Sequence, residues 1–264
     1  MKLLQSGLSW IYALLVFGFI LLPVLSLVIF SFQATNLPLP PFTGPSLRWY
    51  EALFADSGMI EALRNSLFVG VISAFFSTAL GFLAAYGLAR YRPRGAKAMR
   101  AAVMTPLGVS YLVIGFGLAV TANELALGRS LFLVTLGHII INLPLAFAIV
   151  LSQMREEDET LEKAARDLGA NEWTVITRIA IPVLLPGLLA AFLLSFTLSW
   201  DEFIIAFFLA DFDVTLPIEI WSQLRTGLDA KTNAAGTLVF AISLVALTFA
   251  YVLNRAVQQR SRRP

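Results

Sequence analysis

The sequence predicts an all-α polytopic membrane protein with six transmembrane helices, and three observations carry that expectation. Hydrophobic residues make up 58% of the 264-residue chain and charged residues only 14%, against about 45–50% and 25% in soluble domains. The mean hydropathy is +0.78. The apolar residues also gather into six stretches, near 8–32, 60–89, 101–120, 131–153, 183–210 and 234–254, each about as long as the ~20-residue helix that crosses a bilayer core. Inside lipid every backbone group must be paired within its own segment, so runs this long are expected to be helices. No period-two alternation points to a membrane barrel.

The first stretch follows Lys2. It runs for about 25 residues, long for a signal-peptide core, and shows no obvious small-residue cleavage site, so it is expected to stay as a helix. Segment 33–59 carries Pro38, Pro40, Pro41 and Pro45 and is expected to be irregular, covering part of the outer mouth. The second stretch contains Asn65, whose amide suits a bond across helices, and the small-residue row Gly70, Ser73, Ser77 and Gly81, which suits close packing. His138, the single histidine, lies in the fourth stretch and is expected to be a packed polar residue bonded to a neighbouring helix or a carbonyl.

The linkers differ in charge. Segment 90–100 holds Arg90, Arg92, Arg94, Lys97 and Arg100. Segment 154–182 holds Arg155, Lys163, Arg166 and Arg178, and the tail holds Arg255, Arg260, Arg262 and Arg263. With Lys2 these are fourteen of the nineteen Lys and Arg. Lys and Arg near span ends mark the cytoplasmic side, so both termini are expected to be cytoplasmic, with 33–59, 121–130 and 211–233 outside. The expected organisation is a first helix and periplasmic loop over 1–59, a transmembrane domain over 60–254 containing the cytoplasmic segment 154–182, and a basic tail over 255–264.

Several functions are excluded. There are no cysteines, hence no thiol catalysis and no thiolate metal site. No G-x-x-x-x-G-K-[ST] loop, H-E-x-x-H or G-x-S-x-G occurs, so neither nucleotide binding nor hydrolysis is expected in this chain, and no metal ligand is assigned. The net charge of +2 comes from basic residues beside apolar spans, which argues against nucleic acid as a partner.

Segment 154–182 is long and polar enough for two short helices in water. Thr160 and Asn171 are candidate N-caps. Gly169 suits a helix end, where a left-handed backbone costs glycine little. Leu161, Ala164, Ala165 and Leu168 recur at helical spacing, and a second helix is expected to enter the membrane at Pro182. An ordinary solvated loop would share much of this pattern. The spacing is more specific: Ala164-Ala165, Gly169 four residues on, and Ile179-Ala180-Ile181-Pro182 ten residues later. It resembles the EAA signature of type I ABC importer permeases (Glu-Ala-Ala, three residues, Gly, nine residues, Ile-x-Leu-Pro). The family's glutamate falls on Lys163, with Glu162 beside it, and its leucine on Ile181.

The resemblance implies a type I ABC importer permease fold with the EAA segment as a coupling helix seated in a groove of a separate ATPase subunit. Leu161, Glu162, Ala164, Ala165, Asp167, Leu168 and Gly169 would form that contact. It further implies a second homologous permease subunit, two ATPase subunits that bind ATP and Mg, a periplasmic solute-binding protein, and a bacterial inner membrane.

In the fifth stretch Asp201 and Glu202 interrupt an apolar run. A charge at mid-bilayer costs about 2.5–3.5 kcal/mol on insertion scales and marks a candidate pathway. On a continuous helix Asp201 would lie roughly 28 Å beyond Pro182, with Ser195, Ser199 and Glu202 on one face and Thr197 and Asp201 on another. Thr197, Ser199, Trp200, Asp201 and Glu202 are the candidate pathway residues. The competing role for such an acid is to pair with a base or cap a kink. Segment 200–225 resembles the spermidine/putrescine type of permease, in its second, shorter subunit. Acids beside Trp200, Phe203, Phe207 and Phe208 suit an extended organic cation, while related permeases for opines, ferric iron or thiamine share the architecture. The outer acids Glu124, Asp211, Asp213 and Glu219 are candidates for meeting a binding protein. A secondary transporter would show repeated halves and broken midplane helices, and a membrane enzyme a catalytic constellation. Neither is evident in the sequence.

Overall fold

The computed structural model describes residues 2–227 and 229–261, and twelve α-helices are named among them. They are α1 (Lys2–Phe30), α2 (Arg48–Ala55), α3 (Ser57–Tyr86), α4 (Ala96–Met104), α5 (Tyr111–Glu124) and α6 (Leu131–Gln153). Then come α7 (Glu156–Asp167), α8 (Glu172–Val175), α9 (Ile181–Trp200), α10 (Ile204–Leu209), α11 (Leu216–Thr226) and α12 (Ala230–Ser261). No strand occurs among the described residues. Arg262 and Arg263 of the expected basic tail lie outside them.

Five helical segments are long and apolar enough to cross a membrane, or six if one bent pair counts as a single span. Four expected spans match closely: α1, α3, α6 and α12. The third does not run straight. Residues 96–108 and α5 meet at 102°, because Pro106 and Gly108 sit in a 3₁₀ turn over Thr105–Gly108 and Val109 and Ser110 are extended. At 1.5 Å per residue α5 alone is roughly 21 Å long, short of a ~30 Å bilayer core. The fifth expected span also breaks, at 201–203, into α9 and α10.

The chain divides into two compact units. The first comprises residues 1–60 and 219–241. None of the residues of α1 in Tyr12–Phe30 is fully buried, and most of its large apolar side chains are exposed. Of segment 33–59, expected to be irregular throughout, only 33–47 is so, since α2 and the start of α3 occupy the rest, and the irregular part is tied down. The Gln33 amide donates to the carbonyls of Leu39 and Pro41, both at 3.1 Å, and its oxygen accepts from Thr43 N–H at 3.1 Å. Trp49 Nε1 of the unforeseen α2 donates to Gln33 O at 2.7 Å. Asp56 caps α3, accepting from Met59 N–H at 3.1 Å, and pairs with Lys231. The Lys231 hydrogen bond holds the Asp56 carboxyl below its ordinary range.

The second unit comprises residues 61–218 and 242–264 and contains two apolar clusters. One packs α10 against α5 and α6 through Ile141, Ile205, Ala206 and Leu209. The other packs α3, α6 and α9 through Phe82, Phe147, Leu184 and Ala191. The small-residue row of α3 makes these contacts close. A Cβ on Gly81 would stand 2.8 Å from the Phe147 backbone nitrogen of α6, Ser73 Oγ donates to Ser199 Oγ at 2.9 Å, and Ser77 Oγ donates to Ile139 O at 3.3 Å. Asn65 Nδ2 reaches the carbonyl of Val214, at 3.1 Å, rather than another helix.

Candidate functional site

Two places in the second unit hold the residues singled out by sequence. The first is the polar segment between α6 and α9. Helix α7 starts at Glu156, a turn earlier than a cap at Thr160 would place it; Asp158 carries the N-terminal bond instead, accepting from Arg155 N–H at 3.2 Å. Asn171 does cap, its Oδ1 accepting from Thr174 N–H at 2.8 Å. Between them Gly169 has φ +88°. Gly169 N–H bonds Arg166 O at 2.9 Å and Ala170 N–H bonds Ala165 O at 3.0 Å, the paired bonds of a Schellman stop.

The faces of α7 divide sharply. Leu161 is 57% exposed and Leu168 90%, with Ala164 exposed between them and Ala165 half-buried. Trp173, just beyond, is 74% exposed. Asp167 is exposed. Lys163, at the signature's glutamate position, is exposed and pairs with Glu159 at 2.8 Å, which holds the Glu159 carboxyl below its usual range. Glu162, about 100° round the helix from Leu161, is buried. Its carboxylate accepts from Arg90 Nε at 3.0 Å to both oxygens and from Tyr86 OH at 3.1 Å. Arg90 Nη2 lies 2.9 Å from Oε1.

Arg166, one turn along, donates to Glu172 at 2.7 Å and to Tyr86 OH at 3.2 Å, and Glu172 raises the Arg166 pKa further. Sequence reasoning missed Arg90, Tyr86, Arg166 and Glu172 as a cluster. The Glu162–Arg166 spacing was its one local signal, since i and i+4 share a helix face.

Both flanks of this cluster are π turns, Gly87–Tyr91 and Ile176–Ala180. In the second, Ile181 N–H bonds Ile176 O. Pro182 follows and has no N–H to give to a regular turn.

The second place is the break after α9. Glu202 is buried, and its carboxylate accepts from the backbone N–H of Ile204 and Ile205, both at 2.9 Å, and of Ala206 at 3.4 Å. The acid therefore starts α10, which is why a continuous fifth helix, and the face assignment drawn on it, does not hold past Trp200. His138 of α6 stands against it with Nε2 3.3 Å from Glu202 Oε2, and its Nδ1 is 2.6 Å from Ser199 Oγ. His138 is thus the packed interior residue its surroundings predicted.

Of the other residues there, Trp200 is 1% exposed and stacks on Phe196, so its ring face is taken up by the core. Ser195 is buried, and Thr197 is half-buried with its hydroxyl donating to Leu193 O at 2.9 Å. Only Asp201 offers an exposed carboxylate, with no ion-pair partner among the described residues. Phe207 is exposed nearby in sequence.

Residues 77–263 fit the family described as "Binding-protein-dependent transport system inner membrane component". The chain belongs to that family. It is accordingly a multi-pass inner-membrane permease of an ABC importer, and not an enzyme. It is 33% identical over 264 residues to the putrescine transport system permease protein PotI of Escherichia coli K12, covering 96% of this chain and 94% of PotI. It is 28% identical over 256 residues to the spermidine/putrescine transport system permease protein PotC of the same organism, covering 96% and 95%.

Among solved structures, a bacterial alginate ABC transporter in complex with an alginate-pentasaccharide-bound periplasmic protein aligns with a TM-score of 0.73. That alignment has 19% identity and covers 97% of this chain and 94% of that one. The MetNI methionine transporter aligns at TM-score 0.58 with 15% identity, covering 80% and 99%. These likenesses show the type I importer fold.

Proposed function

We propose that this permease forms half of an import pathway for polyamines, spermidine- or putrescine-like organic cations, with Asp201 as an anionic contact on that pathway. The observation that carries the proposal is the exposed carboxylate at the break in the fifth span, in a chain similar along nearly its whole length to PotI and PotC. A cation leaving water needs a counter-charge, and an aromatic ring beside it adds cation–π attraction. Glu202 serves the break itself, as a cap, and Ser199, Thr197 and Trp200 line or support it.

The energy comes from elsewhere. Leu161, Ala164, Ala165, Asp167, Leu168 and Gly169 form the contact with one of two ATPase subunits, which bind ATP and Mg. The exposed Leu161, Leu168 and Trp173 supply apolar area for that groove, and the basic residues beside the span ends support a cytoplasmic side for α7 and both termini. A second permease subunit completes the pathway. Phe212, 94% exposed between Asp211 and Asp213, is the tip offered to a periplasmic binding protein.

The test is uptake of labelled putrescine and spermidine by the reconstituted transporter. Asp201→Asn raises the KM for the cation by at least about ten-fold, the equivalent of 1.4 kcal/mol, while the variant assembles normally. Unchanged kinetics for both polyamines would remove the cation assignment, and uptake of an uncharged or anionic solute in their place would reassign the pathway.

A further inference from the structure

We propose that the buried Glu162–Arg90 ion pair is the positioning link that carries movement of α7 to the membrane-spanning helix α3. The proposal rests on the coupling role given above to α7. That helix packs against α8 and the 176–180 turn, whereas its reach to α3 is made by side chains. The Glu162 and Arg90 side chains are only 1% and 7% exposed. Arg90 Nε is 3.0 Å from each carboxylate oxygen and Nη2 is 2.9 Å from Oε1. One Nε–H shared between both carboxylate oxygens, with the planar guanidinium close against them, fixes direction as well as distance. Tyr86 OH, from α3 itself, donates to the same carboxylate at 3.1 Å.

Three features separate a link from ordinary packing. Glu162 lies about 100° round α7 from the exposed Leu161 and is turned inward, so the outward apolar side and the inward ion pair belong to one rigid helix. Arg90 sits within the Gly87–Tyr91 π turn, a helix irregularity that recurs at functional sites. Glu162 and Arg166 also tie α7 to two different neighbours. Glu162 goes to the end of α3, while Arg166, 3.7 Å from Glu162 Oε2, goes both to Glu172 of α8 at 2.7 Å and to Tyr86 OH of α3 at 3.2 Å. A buried ion pair adds little net stability over a neutral pair of similar shape, so retention of one here is better explained by the geometry it imposes.

The experiment uses the complete transporter, with its partner permease and ATPase subunits, in proteoliposomes, and measures solute taken up per ATP hydrolysed. Arg90→Gln/Glu162→Gln leaves no buried charge unpaired and is expected to insert and to retain the ATPase on purification. Its uptake per ATP falls at least about five-fold, the lower end of typical coupling free energies. Each single variant that assembles lowers the ratio as far as the double does, because one interaction is lost in all three. A double variant with the wild-type ratio would overturn the link. A double variant that loses the ATPase would overturn it too, showing that the pair serves assembly. Failure of the wild-type chain to retain any ATPase is a separate result, and it would overturn the coupling role itself.

Discussion

Removing the Glu202 carboxylate tests the account of the broken span. Glu202 is buried and accepts backbone bonds from Ile204 and Ile205 at 2.9 Å each. In Glu202→Ala those two donors lose their partner, that of Ile205 in a buried position. Each unsatisfied buried donor costs about 1–3 kcal/mol, so the variant should lose roughly 2–6 kcal/mol. Glu202→Gln keeps one acceptor oxygen and should lose about half as much. The assay is denaturant unfolding in mixed micelles, with near-ultraviolet circular dichroism reporting on Trp200 beside the break. Asp201→Asn is the control, because its exposed carboxylate makes no such bonds and its stability should stay within about 0.5 kcal/mol of wild type. Equal stability of Glu202→Ala and wild type would refute the capping argument.

Two glycines and one acid give further expectations. Gly169→Val forces a β-branched residue to φ +88°; it should destabilise the end of α7 by at least about 1–2 kcal/mol and lower uptake per ATP, and wild-type coupling in the inserted variant would contradict this. Gly81→Val drives a side chain into the Phe147 backbone 2.8 Å away and should cost about 1–3 kcal/mol of overpacking, read as a lowered unfolding midpoint. Asp56→Asn keeps a good N-cap but loses the half-buried Lys231 pair, a loss of roughly 0.2–1 kcal/mol, or somewhat more than for a fully exposed pair. Because the Asp56 carboxyl is held below its ordinary value, that contribution is present above about pH 4 and disappears as pH falls through the lowered pKa. The gap between wild type and variant should therefore close under acid, and a gap that widened there would reverse the sign of the argument.

Hydropathy made the spans legible because burial in lipid is a matter of composition over a long window. It could not show the two breaks, which are set by single backbone groups. Pro106 and Gly108 were visible in the third stretch, and Asp201-Glu202 in the fifth, but a window average dilutes two residues among twenty. The helical wheel then carried Glu202 onto a helix that the same residue terminates. In the polar segment Gly169 and Asn171 were legible since each answers a local backbone demand. Thr160 satisfied the same chemical rule, yet Asp158 begins the helix earlier. The outward placement of Leu161 and Leu168 follows from their spacing. The Glu162–Arg90 pair does not, because its partners are 72 residues apart and Arg90 is one of five basic residues in its segment.

The most direct measurement places the purified permease pair in vesicles with labelled putrescine, with and without its ATPase subunits and ATP, the binding protein being present throughout. The account predicts accumulation only when ATPase and ATP are both supplied. Accumulation, or movement down a gradient, by the membrane subunits alone would contradict it.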